Sequence, residues 1–285
     1  MAGLRGLGFR SDIIASGPRR AKSRPSPRPA LGPTHPGPDP LDLTTDSWQY
    51  VPPSALCGAL PAFLAQESAM LEHLVLMCDH PRDAHDLARL EPSLGPDGAR
   101  RLQERLLDHL AHTARAWQSR RSDRFVTVFC QGGLPTEFRI LLGEDFIYEK
   151  DSGGSQGARL AVAAVRAFSR GADKVLLVGT NCPDLTATDV ERAGFALEHV
   201  DCVVGPGHAG RYYLVGLVAP TPAIFARMPW GTGALLARTL EAAQQSGLRT
   251  GLLPRLPMVH GPGDLIHAAH LLSTPVAQDA ERART

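Results

Sequence analysis

Paired cysteines are missing from this chain. Cys57, Cys78, Cys130, Cys182 and Cys202 show no C-x-x-C spacing, and their number is odd. That argues against a zinc or disulfide framework and for a reducing compartment. The last four lie in or just after apolar, strand-like runs, where a free thiol packs as a small hydrophobe. Long apolar runs are missing too. None approaches the roughly 20 residues that cross a bilayer, so no membrane span is expected. Neither sign of charge dominates: Lys+Arg 30 against Asp+Glu 29 leaves +1, with no overall pull toward nucleic acid. No internal repeat is visible, and Gly3 stands where a myristoylation pattern needs a glycine second.

With 285 residues and 43% hydrophobic content, the chain can bury a sizeable core, but its composition is uneven. Residues 1–40 are rich in Pro, Gly, Ser and Arg: seven basic residues from Arg5 to Arg28 face only Asp12. Without periodic apolar positions, such a tail is expected to be disordered. Its acid-poor composition also suits a mitochondrial presequence, although Pro25 to Pro40 confine any presequence helix to residues 1–15. The cytoplasm is the expected location and the mitochondrion the alternative. Residues 41–71 are transitional. Trp48, Tyr50, Leu56, Leu60, Phe63 and Leu64 are expected to pack on the domain or on a protein partner reached through residues 41–66.

The domain proper is expected over residues 72–272, with a flexible tail at 273–285. His73 to Cys78 and Phe125 to Cys130 read as buried strands. A loop from Asp79 to Pro96 is predicted between them, followed by a helix from Asp97 to Trp117. Ala99, Leu102, Leu106, Leu110, Ala114 and Trp117 recur along that helix at three- and four-residue steps. Phe138 to Ile147 has no clear period. Helices are predicted over 159–170, 187–198, 233–245 and 265–272, and strands over 174–179, 202–205, 212–218 and 249–253. Thr186 with Asp189 forms a capping box. This alternation predicts a three-layer α/β/α fold with a mostly parallel sheet. Ligands of such sheets bind at the carboxyl ends of the strands, which points to the loops at 179–185 and 205–212.

Several fragments in order carry a family resemblance: Leu94 to Pro96, Gly179 to Leu185, Gly205 with Pro206, and Tyr212 to Leu217. Pro229 with Trp230 and Thr232, and Pro262 with Asp264 and Leu265, extend it. The set resembles a mainly bacterial glycosyltransferase-like family, domain of unknown function 2064. That family is related to 2-phospho-L-lactate guanylyltransferase and to the nucleotide-diphospho-sugar transferases. The resemblance implies a GT-A-like fold, a nucleotide or nucleotide-sugar ligand, and Mg²⁺ or Mn²⁺ on carboxylates if the ancestral activity persists. It also nominates Arg89, Gly179, Asn181, Gly210, Arg211 and Tyr212 as binding positions.

Most of the family's charged positions are altered. The phosphate loop, Lys-x-Pro-x-Pro-Gly-x-x-Lys-Thr-Arg-Leu in the family, runs here from Asp79 to Leu90. Pro81, Arg89 and Leu90 remain, while Asp79 and Leu87 replace both lysines and Ala84 the glycine. Asp79, Asp83 and Asp86 would repel a triphosphate. Further acids of the family become Ser155, Asn181, Gly233, Met258 and His260, and Arg211 replaces a glycine. Asp184 and Asp264 survive, each at an expected helix start where a carboxylate serves free N–H groups.

These changes predict a non-catalytic or catalytically impaired homologue, which an acidic or neutral cleft floor with Asp79 facing inward would support. One alternative is an active transferase with a rebuilt site, in which His80, His208, His260 and Asp184 do metal or acid–base chemistry and Arg211 clamps an anion. The other is a protein-interaction module.

Overall fold

The computed structural model describes residues 70–82 and 85–273. Seven strands form one sheet: β1 Glu72–Asp79, β2 Arg124–Gln131, β3 Ile147–Lys150, β4 Lys174–Gly179, β5 Cys202–Pro206, β6 Tyr212–Leu217 and β7 Thr250–Leu252. Their order is β3-β2-β1-β4-β6-β5-β7. All run parallel except β6, which is antiparallel to both neighbours. The reversal follows from chain length. Only five residues join β5 to β6, enough for a hairpin, whereas a parallel crossover needs a dozen or more.

Among the described residues six α-helices accompany the sheet: α1 Glu91–Gln118, α2 Pro135–Leu142, α3 Gln156–Ser169, α4 Ala187–Ala196, α5 Leu235–Gln245 and α6 Ala269–Ser273. Strand side chains alternate between two cores, as a sheet covered on both faces requires. Leu74, Leu76 and Cys78 of β1 pack with α1 and α4, and Val75 and Met77 pack with α3 on the other face. The α/β fold with a mostly parallel sheet is the one expected.

Local differences have local causes. The expected loop before α1 contains a 3-10 helix, His85–Leu90, and a first helical turn with Pro92, which helix starts tolerate. Gly95, at φ 69°, then interrupts the helix, so its continuous part begins close to the expected Asp97. In the unassigned region α2 buries only Phe138 and Leu142, and β3 is a four-residue edge strand. Neither is long enough to show a period. The predicted closing helix is a 3-10 segment, Pro262–Ala268, running into the short α6.

Cys78, Cys130, Cys182 and Cys202 are free and buried. Among the described residues no helix is long and apolar enough to cross a membrane. The tail, the 41–66 segment and Cys57 lie outside the described residues.

Candidate functional site

The chain leaves β1 toward β2 and β3 on one side and returns to β4 on the other. This switch point opens a crevice at the carboxyl ends of β1 and β4. A cavity of about 350 Å³ occupies it. Met77 and Asp79 of β1, Leu177 to Asn181 at the end of β4, and Gln156, Arg159 and Leu160 of α3 line one part. Arg89, Arg211, Tyr212, Trp230, Met258 and His260 close the rest.

The β5–β6 hairpin delivers Arg211. The Gly207 N–H donates to the Arg211 carbonyl at 2.8 Å, and Ala209 and Gly210 turn with φ of 54° and 69°. Only glycine suits position 210, since a Cβ there would lie 1.8 Å from the Gly233 carbonyl oxygen. Arg211 then donates to the Gly231 carbonyl at 3.1 Å, which fixes its guanidinium at the rim. Gly157 does a similar job in α3: a Cβ would meet the Phe225 carbonyl oxygen at 2.1 Å. The missing side chain lets α3 lie against the segment that carries Trp230.

At the floor Arg159 sits between two carboxylates, 2.7 Å from Asp151 and 3.6 Å from Asp79. All three side chains are largely buried. Asp151 also accepts from the Gly153 N–H at 2.8 Å, folding the glycine loop onto the triad. Ser155, where the resemblance implies an acid, is the N-cap of α3 and accepts from Ala158 N at 3.3 Å. Serine caps a helix as well as aspartate does, so the cap itself needs no charge.

The positions that the resemblance assigns to acids at the ends of β4 and of the 254–260 stretch meet on one wall. The Asn181 amide nitrogen lies 3.5 Å from His260 Nδ1, its Oδ1 accepts from the Thr180 hydroxyl at 3.1 Å, and its carbonyl takes the Val259 N–H at 2.8 Å. Met258 lines the same cavity. The wall therefore presents an amide, a thioether and an imidazole. Mg²⁺ and Mn²⁺ need oxygen ligands. Among the described lining residues Asp79 is the one carboxylate, and a guanidinium already stands beside it. Among the described residues no three His, Cys, Asp or Glu side chains are grouped to hold a metal. The donor set does not fit either ion.

Asp79 lines the cavity, and at its floor two carboxylates, Asp79 and Asp151, face the one guanidinium of Arg159. The lining as a whole is more basic. Three guanidiniums, of Arg89, Arg159 and Arg211, line it against one carboxylate. The nominated Arg89, Gly179, Asn181, Arg211 and Tyr212 are brought together there, while Gly210 supports the wall from behind.

The imidazole-rich arrangement is not assembled. Of its members only His260 lines the cavity. His208 is exposed, with its ring 5.7 Å from that of His267. His80 is buried in the first loop, edge-on to Phe138 at 5.4 Å. Asp184 points outward and lies 3.8 Å from His270. The expected capping role fails for Asp184, since Thr186 and Asp189 cap α4 instead. It holds for Asp264, which accepts from His260 N and Gly261 N at 3.0 Å each. Burial pushes the pKa of the Cys182 thiol up to about 12, so the cysteine within the motif stays a neutral packing group.

Arg159 and Gln156 were not among the nominated binding positions, and Trp230 entered only as part of the resemblance; the fold turns all three toward one cavity. Asp151 carried no signal, because nothing in the chain order pairs it with Arg159.

A family model matches residues 110–232. It is described as an uncharacterized protein conserved in bacteria (DUF2064), the family that the motifs resemble. The matched span holds the β4 and β6 motifs and the Pro229–Trp230 pair, but not the first loop. Among solved structures, a Desulfovibrio desulfuricans G20 protein provisionally assigned as a nucleotide-diphospho-sugar transferase is 25% identical, with a TM-score of 0.62. The alignment covers 69% of this chain and 85% of that one. CMP:2-keto-3-deoxy-manno-octonic acid synthetase, solved with CTP, is 11% identical at a TM-score of 0.45, covering 71% and 99%. The 2-C-methyl-D-erythritol 4-phosphate cytidylyltransferase of Thermus thermophilus is 15% identical at 0.41, covering 71% and 99%. No curated protein matches. The fold is that of the nucleotide-diphospho-sugar transferases.

Proposed function

We propose that this chain is a catalytically impaired homologue of the nucleotide-diphospho-sugar transferases, in which the cleft is kept for binding. One observation carries the reading. Asn181, Met258 and His260 share a wall where the resemblance implies metal-facing acids, and the nearby Asp79 is engaged by Arg159. Transfer from a diphosphate-bearing donor needs the leaving group neutralised. Without carboxylates to seat a cation, the metal's share of that role is missing. The likeness to the Desulfovibrio protein supports a ligand of the nucleotide-sugar kind as the ancestral occupant.

Calorimetry and thermal-shift screening against nucleoside triphosphates and nucleotide sugars, each with and without Mn²⁺, tests this. No metal-dependent binding and no turnover are expected. Micromolar binding that requires Mn²⁺ would overturn it.

A further inference from the structure

We propose that the cavity is a metal-independent site for a small phosphomonoester with a hydroxylated body, its phosphate gripped by Arg211 and Arg89. This rests on the reading above, that the cleft is kept for binding. Arg159 spends its charge on Asp79 and Asp151. Among the described residues neither Arg89 nor Arg211 pairs with a carboxylate, so two guanidiniums face the cavity uncompensated. Arg211 is oriented in advance by the Gly231 carbonyl and by the Gly210 hairpin. A guanidinium matches phosphate geometry with two parallel donors and needs no bridging cation.

Behind the rim the lining changes character. Gln156 brings an amide suited to hydroxyls, Thr180 and Asn181 form a hydrogen-bonded polar wall, and Trp230 and Tyr212, 6.2 Å apart between centroids, add an aromatic one. The volume, about 350 Å³, lies near the lower bound of small-molecule sites. It favours a single phosphorylated unit over a diphosphate bearing both a nucleoside and a sugar.

The experiment is calorimetry on the full chain in EDTA with glucose 1-phosphate, glycerol 3-phosphate, inorganic phosphate and glucose. The two esters are expected to bind, more tightly than inorganic phosphate, and glucose is not. Arg211→Gln should weaken ester binding about tenfold or more, the size of one lost charge-assisted contact. Arg89→Gln, at an exposed position, carries the same test should the hairpin variant fail to fold. Arg211→Lys should recover part of the loss. Inorganic phosphate binding as tightly as the esters removes the hydroxylated body from the proposal. Ester binding unchanged in both arginine variants, or no binding of any probe in EDTA, overturns it while leaving the impaired-transferase reading standing. Binding that appears only with Mn²⁺ sinks both.

Discussion

At its first residue β1 puts Glu72 between two buried cations; at its last it puts Asp79 beside one guanidinium on a cavity wall. Glu72 meets Arg124 at 2.9 Å and Lys174 at 3.4 Å, and all three are under 5% exposed. The cluster is completed from every side. Lys174 also donates to the Gly194 carbonyl, Arg124 donates to the Trp117 carbonyl and covers its ring at 4.6 Å, and Glu198 and Glu191 close the rim. At the other end Arg159 is balanced by Asp79 and Asp151, yet Arg89 and Arg211 stand nearby with no acid among the described residues. A buried ion is tolerated only when its partners are supplied. Uncompensated charge therefore belongs where a ligand or water can reach it. One end fastens three strands, and the other is poised for an anion.

The largest expected effect lies at the closed end. Glu72→Gln leaves Lys174 and Arg124 buried without their shared carboxylate and should cost about 3–5 kcal/mol in urea unfolding. A loss below about 1 kcal/mol, the scale of an exposed pair, would erase the contrast between the two ends.

His73, the neighbour of Glu72, gives the next effect. Its Nε2 bonds the Thr127 hydroxyl at 2.8 Å, and its buried Nδ1 has no partner among the described residues to accept a second proton. Burial, helped by Arg170, lowers its pKa from 6.5 to about 4. The unfolded chain therefore takes up a proton below pH 6.5 that the folded chain refuses. Stability is full above about pH 6.5 and falls toward pH 4, by roughly 1.4 kcal/mol per unit. Unfolding free energies of His73→Gln should lack that slope, and an unchanged slope would assign the acid sensitivity elsewhere.

The smallest change in stability is expected at the open end. Asp79→Asn leaves the 2.7 Å Arg159–Asp151 bond intact, so it should cost about 1–2 kcal/mol. It also removes the one carboxylate among the described lining residues, so phosphate binding should tighten several-fold as the repulsion disappears. Weaker binding in this variant would mean that Asp79 itself touches the ligand.

Much of this was legible in residue order, and the limits follow the length of the signal. β4 is a lysine followed by five apolar residues, bounded by polar ones, and its extent matches the expected one. The α1 face repeats over several turns, so its core positions stand out. The Thr186–Asp189 box is local chemistry and forms as read. α2 and β3 escaped because two buried residues and four strand residues make no period. Family motifs located Gly179, Asn181 and Tyr212, but motif spacing gave His208 and Asp184 the same standing as His260. Chain direction after a turn decides which of the three faces inward.

From the chain alone came the layered α/β fold and the cleft at the strand ends, and the family resemblance added the expectation that Asn181, Met258 and His260 stand where acids would be. The fold and the cleft follow from local periods and residue identities, which need no knowledge of neighbours distant in sequence. The charge of the cleft was a tertiary matter. Asp79, Asp151 and Arg159 come from separate elements, and only their meeting cancels one guanidinium while leaving Arg89 and Arg211 to face the cavity. Electrostatic balance depends on distances in space, and residue order sets distances only along the chain.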